Sequence, residues 1–297
     1  MQPVDTVRGK VRDCPQCAAA GLIFLQKSFN KYPIKLKGKE KMKFGVADFG
    51  MSVWDGGLFD LQGRLEGLKA IGYDGIERFE ANCAADALTK ASLFRRLGMD
   101  FSTCRGPKNM DSMEWTAGLG KPYVWIALSD AVRTTDMDKY FRQCNTFVKG
   151  CKTWGISGIL HNHLGTRIEN QQEVELFMEK CPDAELLLDI GHLYGAGGDP
   201  VEIIHRYADR IAAVHFKDIE MKDESIGLER WYDRLRFCEL GAGTPGLVDY
   251  DACVKALCEV GYDKWVLVEH DTHTDDPFKQ LKISLDRLKE SFAKYSK

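Results

Sequence analysis

The sequence predicts a single (β/α)8 TIM barrel over residues 42–297, preceded by an extension at 1–41 that does not share its pattern. Three observations predict it. Eight short apolar runs recur, at 43–48, 75–80, 100–104, 123–128, 157–163, 185–190, 211–217 and 265–270. Most do not alternate with polar residues, as expected of strands covered on both faces. Helical patterns lie between most of them, and the length of 297 residues suits one such barrel. The competing doubly wound sheet normally carries a glycine-rich turn after its first strand. Here that turn reads Asp48-Phe-Gly-Met-Ser-Val-Trp, with no GxGxxG.

Taken in order, residues 1–41 lack periodicity and end in the basic run Lys35-Leu-Lys-Gly-Lys-Glu-Lys41. Met42 then opens a typical first strand, MKFGVADFG, so Met42 is expected to be the natural start and 1–41 a leader or a non-native segment. Leu61, Leu65, Leu68 and Ile71 recur at helical spacing. GIERFE, the second strand, places Glu77 toward the C-terminal mouth if its register holds, and otherwise on the surface. Val174, Phe177 and Met178 mark another helix. Asp199-Pro200 is a helix entry, with Asp as N-cap and Pro at the first helical position. The stretch 218–250 reads as a long irregular loop over the mouth, with a short helix at WYDRLR carrying Arg234 and Arg236 as solvated charges. Leu281, Leu285 and Leu288 mark a final helix.

Apolar residues make up 44% of the chain and the net charge is -3. That balance gives a sizeable core and no general affinity for nucleic acid or an anionic membrane. No apolar run approaches the roughly 20 residues of a membrane helix. The ten cysteines are scattered, several of them within helical patterns, and read as small buried hydrophobes of a reducing, cytoplasmic protein. Cys14-Pro-Gln-Cys17 is a CxxC with no second pair to complete a zinc site.

Three of the apolar runs end in ionisable groups: Asp189 in LLLDIGH, His215 in AAVHFKD and Glu269 in WVLVEHD. A fourth, ILHNHLG, offers His161 or His163, two apart and so on one face of a strand. Any one alone reads as a hydrogen-bonded core residue or a turn-capping acid. Four at matching strand ends converge on one point of a barrel. Burying them together is costly unless a cation or mutual pairing compensates. Nitrogen and oxygen donors suit one divalent ion, Mn, Co, Mg or Zn.

At these residues the chain resembles the xylose-isomerase-like barrels, which include sugar phosphate isomerases and epimerases. The resemblance rests on Leu188-Asp189-Ile-Gly191-His192, Val214-His215-Phe-Lys217-Asp218 and Val268-Glu269. It covers roughly 42–296. His161-Asn-His163-Leu-Gly165-Thr166, with the segment leading to Gly197-Gly198-Asp199-Pro200, is most similar to the inosose dehydratase branch. The resemblance implies one divalent metal held by four strand-end ligands. Asp189, His215 and Glu269 match three of them. The usual Glu of the fifth strand is replaced by His161, with His163 or Glu169 as the other choices.

The activity implied is removal of a proton next to the carbonyl of a sugar, keto-sugar or inosose, by a sugar isomerase or epimerase or by a dehydratase-like lyase. The metal acts as a Lewis acid on carbonyl and hydroxyl. Glu269 and His163 are the expected proton-transfer groups. Lys217 stabilises the enolate or, alternatively, pairs with Asp218 or Glu220. His192, Glu77 and His161 are expected to contact substrate, His192 otherwise stabilising its turn. The segment Phe237–Gly243 resembles the family's glycine-rich stretch before the last helix. The implied partner is a small sugar or cyclitol, with a homo-oligomer or a small partner subunit both compatible. β-Elimination of 3-keto-glycosides is the nearest alternative. An apurinic-site endonuclease needs more metal ligands and a basic face, and a non-catalytic sugar-binding barrel need not keep the ligands.

Overall fold

In the computed structural model the described residues are 42–53, 60–126, 136–271 and 273–296. The extension at 1–41, with Cys14 and Cys17, lies outside them, as do residues 127–128 of the fourth apolar run. Each of the eight runs forms a strand: β1 Lys43–Ala47, β2 Gly75–Glu80, β3 Asp100–Arg105, β4 Tyr123–Trp125, β5 Ser157–His161, β6 Glu185–Asp189, β7 Ile211–Phe216 and, after an inserted hairpin, β10 Trp265–Glu269. They pair side by side in the order β3-β2-β1-β10-β7-β6-β5-β4, every pairing parallel. This is a TIM barrel with one seam, between β3 and β4, where no backbone ladder joins the described residues. Side chains cross it instead. Tyr123 donates its hydroxyl to Ser102 Oγ at 2.7 Å, and Lys121 pairs with Asp100.

Helices cover the outside: α1 Phe49–Val53, α2 Leu61–Ile71, α3 Ala84–Leu97, α4 Asn109–Gly118, α5 Met137–Thr153, α6 Gln171–Lys180, α7 Ile190–Gly195, α8 Pro200–Tyr207, then α9 Trp231–Arg234, α10 Tyr250–Glu259 and α11 Pro277–Tyr295. The expected apolar stripes face inward. Leu65 and Leu68 of α2, Val174, Phe177 and Met178 of α6, and Leu281, Leu285 and Leu288 of α11 are buried. Asp199 caps α8 as expected, its Oδ1 accepting from the Val201 and Glu202 amides. Inside the barrel Tyr123, Ile159, Leu187, Ala213, Leu267 and Trp265 make a separate cluster. Gly45 of β1 makes room for it: a Cβ there would stand 2.7 Å from the Trp265 ring. The described cysteines are free thiols, and burial pushes Cys104, Cys151, Cys238 and Cys253 up to about 12, the behaviour of small hydrophobes. No helix among the described residues is long and apolar enough to cross a membrane.

The stretch 218–250 corrects the expectation of an irregular loop. It holds an antiparallel hairpin, β8 Asp218–Met221 with β9 Leu235–Cys238. Ile219, Leu235 and Phe237 turn inward onto Leu164 and Trp231, while Glu220 and Arg236 pair on the other side. Arg236 is thus ion-paired on a strand, and Arg234 donates to the carbonyls of Glu224 and Ile226. The helix of WYDRLR is only the four residues of α9, because Leu235 already begins β9.

Candidate metal and substrate site

Strand register assembles the site. Asp189 of β6 lies directly beside His215 of β7. On β10 it is Leu267 that stands beside His215, so Glu269 projects two residues further, level with Lys217. His161 ends β5 beside Leu187 of β6. All of these occupy the C-terminal end of the barrel, where TIM barrels carry their chemistry.

The predicted residues meet there. His161 Nε2 lies 3.3 Å from Asp189 Oδ2, and His215 Nδ1 lies 3.3 Å from the same oxygen and 3.1 Å from Glu269 Oε2. The Lys217 ammonium sits between the two acids, 2.9 Å from Asp189 Oδ2 and 2.6 Å from Glu269 Oε2. Lys217 does not pair with Asp218 or Glu220. Asp218 accepts from the amides of Ile219 and Gly241, so the glycine-rich segment wraps this carboxylate, and Glu220 takes Arg236. Gly191 lets the lysine stem through: a Cβ there would lie 2.3 Å from Lys217 Cγ.

Glu77 is neither a surface charge nor fully open to the mouth. It is 2% exposed, with Oε2 3.0 Å from His215 Nε2 and Oε1 accepting from Trp125 Nε1 at 2.8 Å. His215 is therefore held at both ring nitrogens. Burial would lower its pKa, but the Glu269 and Glu77 carboxylates raise it well above the usual value. Burial likewise works to raise Asp189 and Glu269, yet the Lys217 charge, with smaller help from neighbouring imidazoles, holds both well below the ordinary range.

His163 donates Nδ1–H to the Leu164 carbonyl at 2.7 Å, leaving the Nε2 lone pair open. Burial first, then the neighbouring His161 and Lys217, lowers its pKa to about 4, so the ring is neutral at pH 7. The His192 ring lies against His163, tilted, at 3.6 Å between centroids. His192 does stabilise its turn, donating its backbone N–H to Asp189 Oδ1 at 2.8 Å. Its Nδ1 accepts the Leu164 amide at 3.3 Å, so Nε2 carries the hydrogen, and that buried N–H has no acceptor among the described residues. Glu169 stands in the loop after β5, where its Oε2 accepts from the Gly165 amide.

Nitrogen and oxygen atoms of His161, Asp189, His192 and Glu269 lie within 4.8 Å of one another, a spacing that fits a divalent ion. The tautomer of His192 makes it a donor rather than a ligand. His215 Nδ1 stands beside both acids, with Glu77 on its other nitrogen, as in the carboxylate–histidine pairs that orient imidazoles at metal sites. Asp189 Oδ2 and Glu269 Oε2 are also the oxygens that hold the Lys217 ammonium, which balances their charge.

Above these groups opens a cavity of about 680 Å3. Glu77, His161, His163 and Glu269 reach its lining, whereas Asp189, His215, Lys217 and His192 are buried behind it. Sequence reasoning missed four contributors. Trp125 ends β4 and touches the His161 ring at 4.8 Å. Asp271, two beyond Glu269 and hence on its face, lies 3.5 Å from Lys217 Nζ. Tyr232 of α9 forms a wall, and Trp231 beside it stands against His163 and His192. For Asp271 the spacing in Glu269-His-Asp271 was a usable signal; for the aromatic residues there was none.

Comparison with known proteins adds the following. Inosose dehydratase of Lacticaseibacillus casei is 35% identical over 133 residues, 42% of this chain and 43% of that protein. Inosose dehydratase of Geobacillus kaustophilus (strain HTA426) is 32% identical over 151 residues, 46% and 48% of the two chains. The match thus spans less than half the length of these curated relatives. Among solved structures, a xylose isomerase domain protein from Planctomyces limnophilus has a TM-score of 0.65 at 16% identity, covering 86% of this chain and 98% of that one. IolI protein with a zinc atom has a TM-score of 0.61 at 18% identity, covering 86% and 99%. These two show a shared fold. The model of the xylose isomerase-like TIM barrel family matches residues 108–291, more than half of the chain, and the protein belongs to that family.

Proposed function

We propose that the protein is a divalent-metal-dependent enzyme that removes a proton next to the carbonyl of a sugar, keto-sugar or inosose. The observation that carries this reading is the meeting of His161, Asp189, His215 and Glu269 at the foot of one cavity. His161, Asp189, His215 and Glu269 would hold the ion, with Glu77 fixing the His215 ring. When bound, such an ion supplies Lewis-acid polarisation of a carbonyl and its neighbouring hydroxyl.

The remaining work falls to the chain itself. Glu269 and His163 border the cavity, and each has a lone pair able to take the proton. His163 is neutral at pH 7 and so is free to accept, and its Nδ1 bond to Leu164 fixes the tautomer that does so. His192 lies behind the cavity lining, so it backs the His163 ring rather than meeting substrate directly. Lys217, freed in part from its acids, offers positive charge to the oxyanion that forms as the proton leaves. Return of the proton gives isomerisation or epimerisation, while loss of a β-hydroxyl gives dehydration. The name carried by the curated relatives favours dehydration. Thiols kept free fit a cytoplasmic setting.

The test is proton NMR in D2O with manganese-supplemented protein, using 2-keto-myo-inositol and simple ketoses. Loss of water from the inosose is expected. Deuterium gained in a product of unchanged formula would point to isomerisation, and release of an aglycone from a 3-keto-glycoside to the alternative elimination. No solvent exchange with any of them would reject the reading. Stripping the protein with EDTA should abolish turnover and manganese should restore it; full activity in the chelated protein would exclude the metal.

A further inference from the structure

The charges lining the cavity are paired with one exception. Asp48 takes Arg64 at 2.6 Å, and Glu80 takes Arg105 at 3.3 Å. Glu77 is held by His215 and Trp125, and Glu269 and Asp271 face Lys217. Lys90 is held by the Glu80 carbonyl and Asp86. Arg78 of β2 lines the same cavity; its charge reaches Asp48, but its N–H groups make no hydrogen bond or ion pair among the described residues. Its guanidinium lies 4.1 Å from the Trp125 ring centroid. Stacking uses the face of a guanidinium and leaves its in-plane N–H groups to bond something else. Arg64 adds a second unspent donor, a buried Nε with no acceptor among the described residues.

We propose that Arg78, backed by Arg64, binds an anionic group of the substrate, a carboxylate or a phosphate, at the end of the cavity where Trp125 joins it to the metal site. The planar fork of a guanidinium matches both oxyanions in two parallel hydrogen bonds. Trp125 sets the position of that fork. It touches the His161 ring at 4.8 Å and donates to Glu77, so the indole is fixed relative to the ligands and fixes Arg78 in turn. A small sugar with its carbonyl over the acids would thereby present a terminal charge to β2. This inference rests on the proposed reaction and predicts, among its substrates, a preference for acidic or phosphorylated members over neutral ones.

Titration calorimetry on the purified full chain with manganese tests it, using D-fructose, D-fructose 6-phosphate and D-glucuronate as probes. At least one anion should bind about tenfold tighter than D-fructose, the scale of a charged hydrogen-bonded pair. The 6-phosphate winning identifies a phosphate site, and glucuronate winning a carboxylate site. Arg78→Gln should erase the margin and Arg78→Lys should keep part of it. If Arg78→Gln does not fold, as judged by circular dichroism, Arg78→Met, which retains the stem over Trp125, carries the same expectation. Neither anion outbinding D-fructose, or a margin that survives in a folded Arg78 variant, overturns the proposal. Deuterium wash-in by the wild type is measured alongside. Exchange without anion preference sinks the subsite alone, whereas Arg78-dependent preference without exchange sinks the reaction and leaves the subsite.

Discussion

At Lys217 an ammonium with no solvent exposure lies within hydrogen-bond reach of two buried acids. Removing one partner of such a buried set leaves uncompensated charge. Lys217→Met should therefore cost about 3–5 kcal/mol in urea unfolding of chelated protein. Manganese, supplying the lost positive charge, should return much of that stability; a variant as stable as wild type without metal would refute this charge balance. Glu77→Gln is milder. It weakens the grip on His215 Nε2 and should lower manganese affinity about 10–100-fold, measured by competition with a fluorescent chelator. Asp189, His215 and Glu269 were legible in the sequence because each stands at or one residue before the end of an apolar run, and a strand end is a position that one-dimensional pattern defines. Glu77, Arg78 and Trp125 were not legible in their roles. Their partners stand dozens of residues away or more, and only the parallel register brings Glu77 to His215 across the barrel.

Helices and strands show the same division. Strand positions were readable because residues covered on both faces must be apolar. The β8–β9 hairpin was not, because each strand has only four residues and carries charge on its outer side, as in the pairing of Glu220 with Arg236. Its inward residues, Ile219, Leu235 and Phe237, are too few to stand out as a run. A measurable tie between elements is Asp251 of α10, which accepts from Ser291 at 2.6 Å, Lys294 at 2.8 Å and Tyr295 at 2.5 Å, all on α11. Burial works to raise its pKa, but these donors outweigh it and bring it to about 2, from 3.8. The folded pKa is depressed, so the stabilisation is present above about pH 4 and disappears as pH falls toward 2. Asp251→Asn should lose up to ~1 kcal/mol at neutral pH, solvent screening limiting the size, and match wild type near pH 2 in thermal melts. A difference that stays constant with pH would argue against this tie.

For the molecule as a whole, chain length and element alternation were enough to predict one barrel. They could not show that, among the described residues, β4 meets β3 through side chains, Tyr123 on Ser102 and Lys121 on Asp100. Tyr123→Phe should cost ~1 kcal/mol, the worth of one such hydrogen bond, and the loss should register as faster amide exchange in β3 and β4 than elsewhere. Uniform exchange around the barrel would contradict it. The seam also borders Trp125, the residue that orders both Arg78 and Glu77. Loosening of the cylinder at this seam would thus be felt first by the wall of the reaction chamber, so thermal inactivation should precede global melting.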